Sequence, residues 1–191
     1  MSVSASGGTL DSMNISTQSL PDAHPVDTGW VDEALASAYA TGDPLWALVG
    51  WPLGGGAGIM ITAWSDRGPF RLVDSRPGTG AGPARYMQVV TFDGPRSPEW
   101  AAAEDYAATH RLWPATRDIP RMVRFLRLRA DDNASLVVVL AESADAIDEG
   151  IRAVMSTTLL PDEDPALLTP PDRIGIYRLM HADISLERTP A

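Results

Sequence analysis

Two residue types are missing from this chain of 191 residues: it has no cysteine and, although 15 residues are basic, no lysine. Without cysteine there are no disulfides, no thiolate nucleophile and no zinc–sulfur site. Without lysine there is no Schiff-base chemistry and no phosphate-binding P-loop lysine. Positive charge is also scarce, 25 acidic residues against 15 basic ones giving a net charge of −10. That field repels nucleic acid and anionic membranes, so neither is expected as a partner. No apolar run approaches the ~20 residues of a membrane span. The start, MSVSASGGTLDSMNIST, has neither the basic region nor the apolar core of a secretory signal, so the expected compartment is the cytoplasm. The three histidines, His24, His110 and His181, are far apart and form no metal motif; neither a metal nor another cofactor is expected. No G-x-S-x-G or Ser/His/Asp pattern occurs. The acidic run 161–165 (PDEDP) lacks EF-hand spacing and reads as a solvated loop.

The remaining composition, 45% hydrophobic and 21% charged, is that of a globular protein. Residues 1–28 are rich in Ser, Gly, Thr and Asp and read as a flexible N-terminal tail. Residues 31–41 (VDEALASAYAT) carry their acids first and Gly42 just after the end, which predicts a short helix. Apolar runs at 45–53 and 58–64 and the segment 70–74 read as strands, and 75–84 (SRPGTGAGPA) as a linker. Beyond it, 85–92 (RYMQVVTF) is a strand. Ser97, Pro98 and Glu99 then supply the cap, first-turn proline and first-turn acid of a helix running to about Trp113. Strands follow at 122–129 (MVRFLRLR) and 135–141 (SLVVVLA), a helix opens at Ser143, and a last strand covers 173–181 (RIGIYRLMH). The order β-α-β-β-α-β over 85–185 is that of a ferredoxin-like unit, an α+β arrangement. Its sheet buries one face under two helices, and its other face must be covered by a partner chain or by another part of this one.

The glycine run GGGAG at 54–58 leads into IMITAW, a strand sequence. A phosphate-binding loop needs a helix there, so the run reads as a hairpin turn. Residues 44–66 also align with 120–145: Pro44 with Pro120, and Ala63–Ser65 with Ala141–Ser143. On that reading 29–80 is a degenerate ferredoxin-like half-copy of helix, two strands and a third strand, placed before the complete copy.

The stretch from RYMQVVTF through MVRFLRLR and SLVVVLA to ESADAIDEGIRAVMST, with its strand, helix, hairpin and helix in that order, resembles an antibiotic-biosynthesis-monooxygenase-type domain of the dimeric α+β barrel superfamily. The resemblance implies two ferredoxin-like units face to face, closed within one chain or across a homodimer. It also implies a pocket between sheet and helices for a hydrophobic, aromatic or polyketide-like small molecule. Some relatives oxygenate such compounds without metal or flavin, and others degrade heme. The cofactor-free oxygenases carry Asn on the first strand, where this chain has Gln88. The heme-degrading Asn–Trp–His set has no counterpart in SLVVVLA.

Candidate site residues follow from the periodicities. Tyr106, His110 and Trp113 lie at i, i+4 and i+7 of the long helix and share a stripe, with His110 as a general base and the aromatic pair as substrate walls. The same stripe could equally be helix-to-sheet packing. Strand alternation puts Gln88 with Tyr86, Val90 and Phe92, and Arg124 with Met122, Leu126 and Leu128. It puts Tyr177 with Arg173 and His181. Gln88, Arg124 and Tyr177 complete the expected substrate-binding set. The resulting expectation is a cofactor-independent monooxygenase-like protein. The alternative is a non-catalytic barrel that binds a small ligand or serves assembly.

Overall fold

The structure, a computed structural model, describes residues 13–20 and 28–183. Its elements run β1 (Asn14–Leu20), α1 (Gly29–Thr41), β2 (Trp46–Pro52), β3 (Gly58–Trp64), β4 (Phe70–Pro77) and β5 (Tyr86–Phe92). They continue with α2 (Pro98–Ala107), a π-helical turn (Ala108–Leu112), α3 (Trp113–Thr116), β6 (Met122–Ala130), β7 (Ser135–Ala141), α4 (Ala144–Met155) and β8 (Arg173–Asp183). The eight strands form one closed barrel in the order β1-β3-β2-β8-β5-β7-β6-β4, and β4 returns to β1 through Asn14↔Arg71 and Ile15↔Phe70.

The barrel closes within a single chain, so no partner is needed to complete it. Within each half the spatial order is fourth, first, third, second strand: β8-β5-β7-β6 in one and β4-β1-β3-β2 in the other. The second strand of each half pairs with the fourth strand of the other, β2 with β8 and β6 with β4. The halves differ in their helices. The second carries α2 and α4, whereas the first has α1 but links β3 to β4 by the short segment 65–69.

One boundary moves. The sequence places residues 14–20 in the tail, but NISTQSL is β1, paired with β3 from Asn14↔Trp64 to Leu20↔Gly58. Its polar residues hid it: Ser16, Thr17, Gln18 and Ser19 leave Ile15 as the one central side chain that enters the core, and Ile15 is fully buried. The remainder of the expected tail, 1–12 and 21–27, including His24, lies outside the described residues, as do 184 and 185 at the end of the expected second unit. β4 runs three residues into the expected linker, to Pro77. The glycine run is a hairpin turn as read, with Gly55 and Gly56 at φ 78° and 109° in the region that favours glycine.

The barrel interior is packed solid. Ile15, Trp46, Leu48, Ile61, Met87, Leu126, Leu128, Val138 and Leu140 fill it from alternating positions on six strands. Outside, α1 packs on Val49 and Met60 through Val31, Ala34 and Ala38, and α4 packs on Met122, Val139 and Ala141 through Ala146 and Ile147. Bulges adjust the phase at three places, one of them in β4 between Leu72 and Asp74. A second, between Val49 and Gly50, lets β2 and β8 approach so closely that a Cβ on Gly50 would stand 2.8 Å from the Tyr177 Cβ. The third, between Met122 and Arg124, turns Met122 out to the helix side while Leu126 and Leu128 stay inside.

β1 is a structural member of the barrel, and Ile15→Ala tests this. The substitution should cost about 2–5 kcal/mol of unfolding free energy in chemical denaturation. A change under half a kcal/mol would return these residues to the tail.

Candidate functional site

The outer face of the second half carries a cavity of about 390 Å³ between its sheet and its helices. Strand register builds the floor in rows across three strands. Gln88, Val139 and Phe125 form one row, and Val90, Val137 and Arg127 the next. Trp100, Ala107, Leu112 and Trp113 come down from the α2–α3 side, and Ile151 and Val154 from α4. Met155, 79% exposed, stands at the mouth.

The helix over the cavity is not regular. Ser97 caps α2 by accepting from the Trp100 amide at 3.1 Å, with Pro98 in the first turn, as the sequence predicts. At 108–112 the chain then takes a π-helical turn, in which the Trp113 amide donates to the Ala108 carbonyl, five residues back. The helix resumes through Pro114, a residue placed where a helical N-terminus tolerates proline. The extra residue rotates everything beyond it and splits the expected stripe. Tyr106 and His110 face outward and stack on each other, ring centroids 4.5 Å apart. The Tyr106 hydroxyl reaches Asp162 at 3.4 Å, and burial, then the Asp162 charge, pushes its pKa up. Trp113 turns inward and meets Phe125 edge-on at 5.2 Å.

The wall holds charges in matched sets. Arg127 Nη1 donates to Glu104 at 3.1 Å and to Asp105 at 2.6 Å, and Arg129 Nη2 donates to the same two carboxylates. Burial dominates at Glu104 and pushes its carboxyl above the usual range, against the pull of Arg127 and Arg129. Arg76 is paired with Asp74 at 2.7 Å and lies over the Trp113 ring at 5.1 Å. The segment 156–172 closes one side as a strap. Arg111, carried on the π turn, donates to Glu163 at 2.8 Å and to Thr157 at 2.8 Å, while the Leu160 amide donates to Glu163 at 2.7 Å. Farther along, Trp100 Nε1 donates to Thr169 at 3.1 Å. The Glu163 side chain is only 1% exposed. Burial pushes its carboxyl up, but the hydrogen bonds from Arg111 and Leu160 and the guanidinium charge outweigh that and hold it below the usual range.

Of the expected site residues, Gln88 and Trp113 line this cavity, and Tyr106, His110, Arg124 and Tyr177 do not. His110 is exposed on the far side of the helix, displaced by the π turn, so as placed it cannot act as a base on a molecule in the cavity. Arg124 sits on the barrel side of β6 and donates to Ser75 at 3.1 Å; burial pulls its pKa down. Tyr177 packs with the barrel core, and burial pushes its hydroxyl up. The sequence reading misses Glu104, Arg111 and Arg127. Their only linear signal is complementary charge: Arg127 and Arg129 on one strand face, Glu104 and Asp105 on the helix above.

The strap depends on Glu163. Its carboxylate has a depressed folded pKa, so its contribution is fully present above the unfolded value and is lost as pH falls through the folded one. Glu163→Gln should weaken the strap by about 2 kcal/mol. Limited proteolysis within 157–171 should quicken in that variant at neutral pH, and in the wild type only in acid. Equal cleavage rates at neutral pH would show that Glu163 does not hold the strap.

No family model matches the sequence, and no curated protein matches it. Solved structures do share its shape. An anthrone oxidase-like protein superposes with a TM-score of 0.58 at 11% identity, over 91% of this chain and 93% of that one. A heme-degrading enzyme from Listeria monocytogenes gives 0.52 at 11% identity, over 86% and 97%. A monooxygenase-like protein from Listeria innocua gives 0.51 at 11% identity, over 88% and 94%. The chain therefore has the ferredoxin-like α+β barrel fold that monooxygenase-like proteins of this kind share, closed within one polypeptide.

Proposed function

We propose that the protein binds a hydrophobic aromatic or polyketide-like small molecule in this cavity and oxygenates it in a cofactor-independent, monooxygenase-like reaction. The observation that carries the reading is the wall itself: apolar and aromatic on most sides, with a buried carboxyl, Glu104, whose basicity is raised by desolvation. The fold shared with an anthrone oxidase-like protein supports the substrate class.

An activated methylene flanked by aryl groups, of the kind an anthrone carries, is a carbon acid. Glu104 takes its proton, and Arg127 and Arg129 hold the carboxyl in place during the transfer. The resulting carbanion gives one electron to dioxygen, the two radicals combine as a hydroperoxide, and loss of water leaves a carbonyl. One methylene and one dioxygen thus become one carbonyl and one water. Trp113 and Phe125 hold the aromatic rings against the sheet.

Dioxygen uptake with anthrone as probe tests the chemistry, and quenching of Trp100 and Trp113 fluorescence tests binding. Glu104→Gln should lower kcat by about 100-fold with KM changed little. Because the base works deprotonated and its pKa is raised, kcat/KM should rise with pH through a midpoint above the ordinary glutamate range. Quenching without uptake above the uncatalysed rate would favour the non-catalytic ligand-binding barrel.

A further inference from the structure

Among the described residues the charges around the cavity are paired with one another, and the polar side-chain groups left uncommitted on its wall, the Gln88 amide and the Trp113 indole N–H, are neutral. From these two facts we infer that the cavity selects uncharged ligands over anions and that Gln88 takes their polar head through a paired donor and acceptor. This rests on the cavity being an aromatic-ligand site and adds what that ligand must carry.

Gln88 is nine-tenths buried, lines the cavity from the middle of β5, and its amide has no hydrogen-bond partner among the described residues. The amide is not among the fully buried polar atoms, so it keeps surface toward the cavity, where a ligand's polar group can reach it. The amide offers one carbonyl acceptor and two N–H donors side by side. Its complement is a group with an acceptor next to a donor: a lactam, a primary amide, or a hydroxyl beside a carbonyl.

The charged groups point the same way. Arg76 is held by Asp74, Arg111 by Glu163, and Arg127 by Glu104 and Asp105. Arg127 Nε and Arg129 Nη1 have no partner among the described residues, yet both atoms are fully buried and present no surface to the cavity. An entering carboxylate, sulfonate or propionate therefore meets no free cation, and it comes close to Asp74 and Glu104. It loses its hydration without replacement. No histidine lines the cavity to ligate iron, so the heme chemistry of one similar fold finds neither an axial ligand nor a partner for its propionates here.

The test uses three probes of one shape in tryptophan-quenching titrations of the whole chain: naphthamide, naphthoate and methylnaphthalene. Naphthamide should bind at least about tenfold more tightly than naphthoate at neutral pH. Gln88→Leu should weaken naphthamide by about tenfold and leave methylnaphthalene as tight or tighter. Naphthoate binding as tightly as naphthamide would overturn the selectivity, and an unchanged naphthamide affinity in a Gln88→Leu protein whose circular dichroism and melting match the wild type would overturn the role of Gln88. The wild-type comparison needs no variant and stands if Gln88→Leu fails to fold. If none of the three probes binds, the aromatic site fails and the selectivity falls with it.

Discussion

Closure of the backbone hydrogen-bond ladder is the constraint on which the rest of this molecule depends. Eight strands leave no free edge only because β1, a short and mostly polar strand, bridges β3 and β4. The crossed pairings β2–β8 and β6–β4 then lock the two halves together, and an interior filled by side chains from both makes the barrel rigid. The interior is filled by buried apolar side chains, and both cavities described lie on the outer face, where helices stand off the sheet.

That outer face is asymmetric. The first half has no helix between β3 and β4, and its face over β1 and β3 is polar, with Ser16, Thr62 and Trp64 hydrogen-bonded to one another. The second half has a helix on each side, and the gap between them is the cavity. The π turn matters because it brings Arg111 and Trp113 to the inner side while carrying His110 away. Without the inserted residue, a different set of side chains would face the sheet.

The electrostatics of the cavity follow from burial. Four arginines lie at or beside a low-dielectric wall, and each is tolerated because a carboxylate meets it, from its own strand for Arg76 and from a neighbouring element for the other three. Apart from the pair within β4, the pairs draw on distant parts of the chain: β6 with α2, the π turn with the strap. Folding therefore assembles the wall and neutralises it in the same step, and the amide of Gln88 is left as the recognisable polar feature.

Local pattern was legible wherever a single rule governed it. The glycine hairpin, the Ser97 and Ser143 caps, the strand alternation that exposed Gln88 to the helix side and the β-α-β-β-α-β order all depend on residues close in sequence, and the structure has each of them. Periodicity failed where backbone geometry broke the period. A π turn rephased the stripe beyond Tyr106, a bulge moved Met122 to the other face from Arg124, and β1 lacked the alternation that would have marked it. The sequence by itself determined the order of strands and main helices from α1 onward, the exclusion of thiol and lysine chemistry, and the apolar faces that demand burial. Only the tertiary structure decided that the barrel closes in one chain and which charges meet across the cavity. Those outcomes rest on contacts between residues more than twenty positions apart, as between Arg127 and Glu104 or Arg111 and Glu163, which no local pattern encodes.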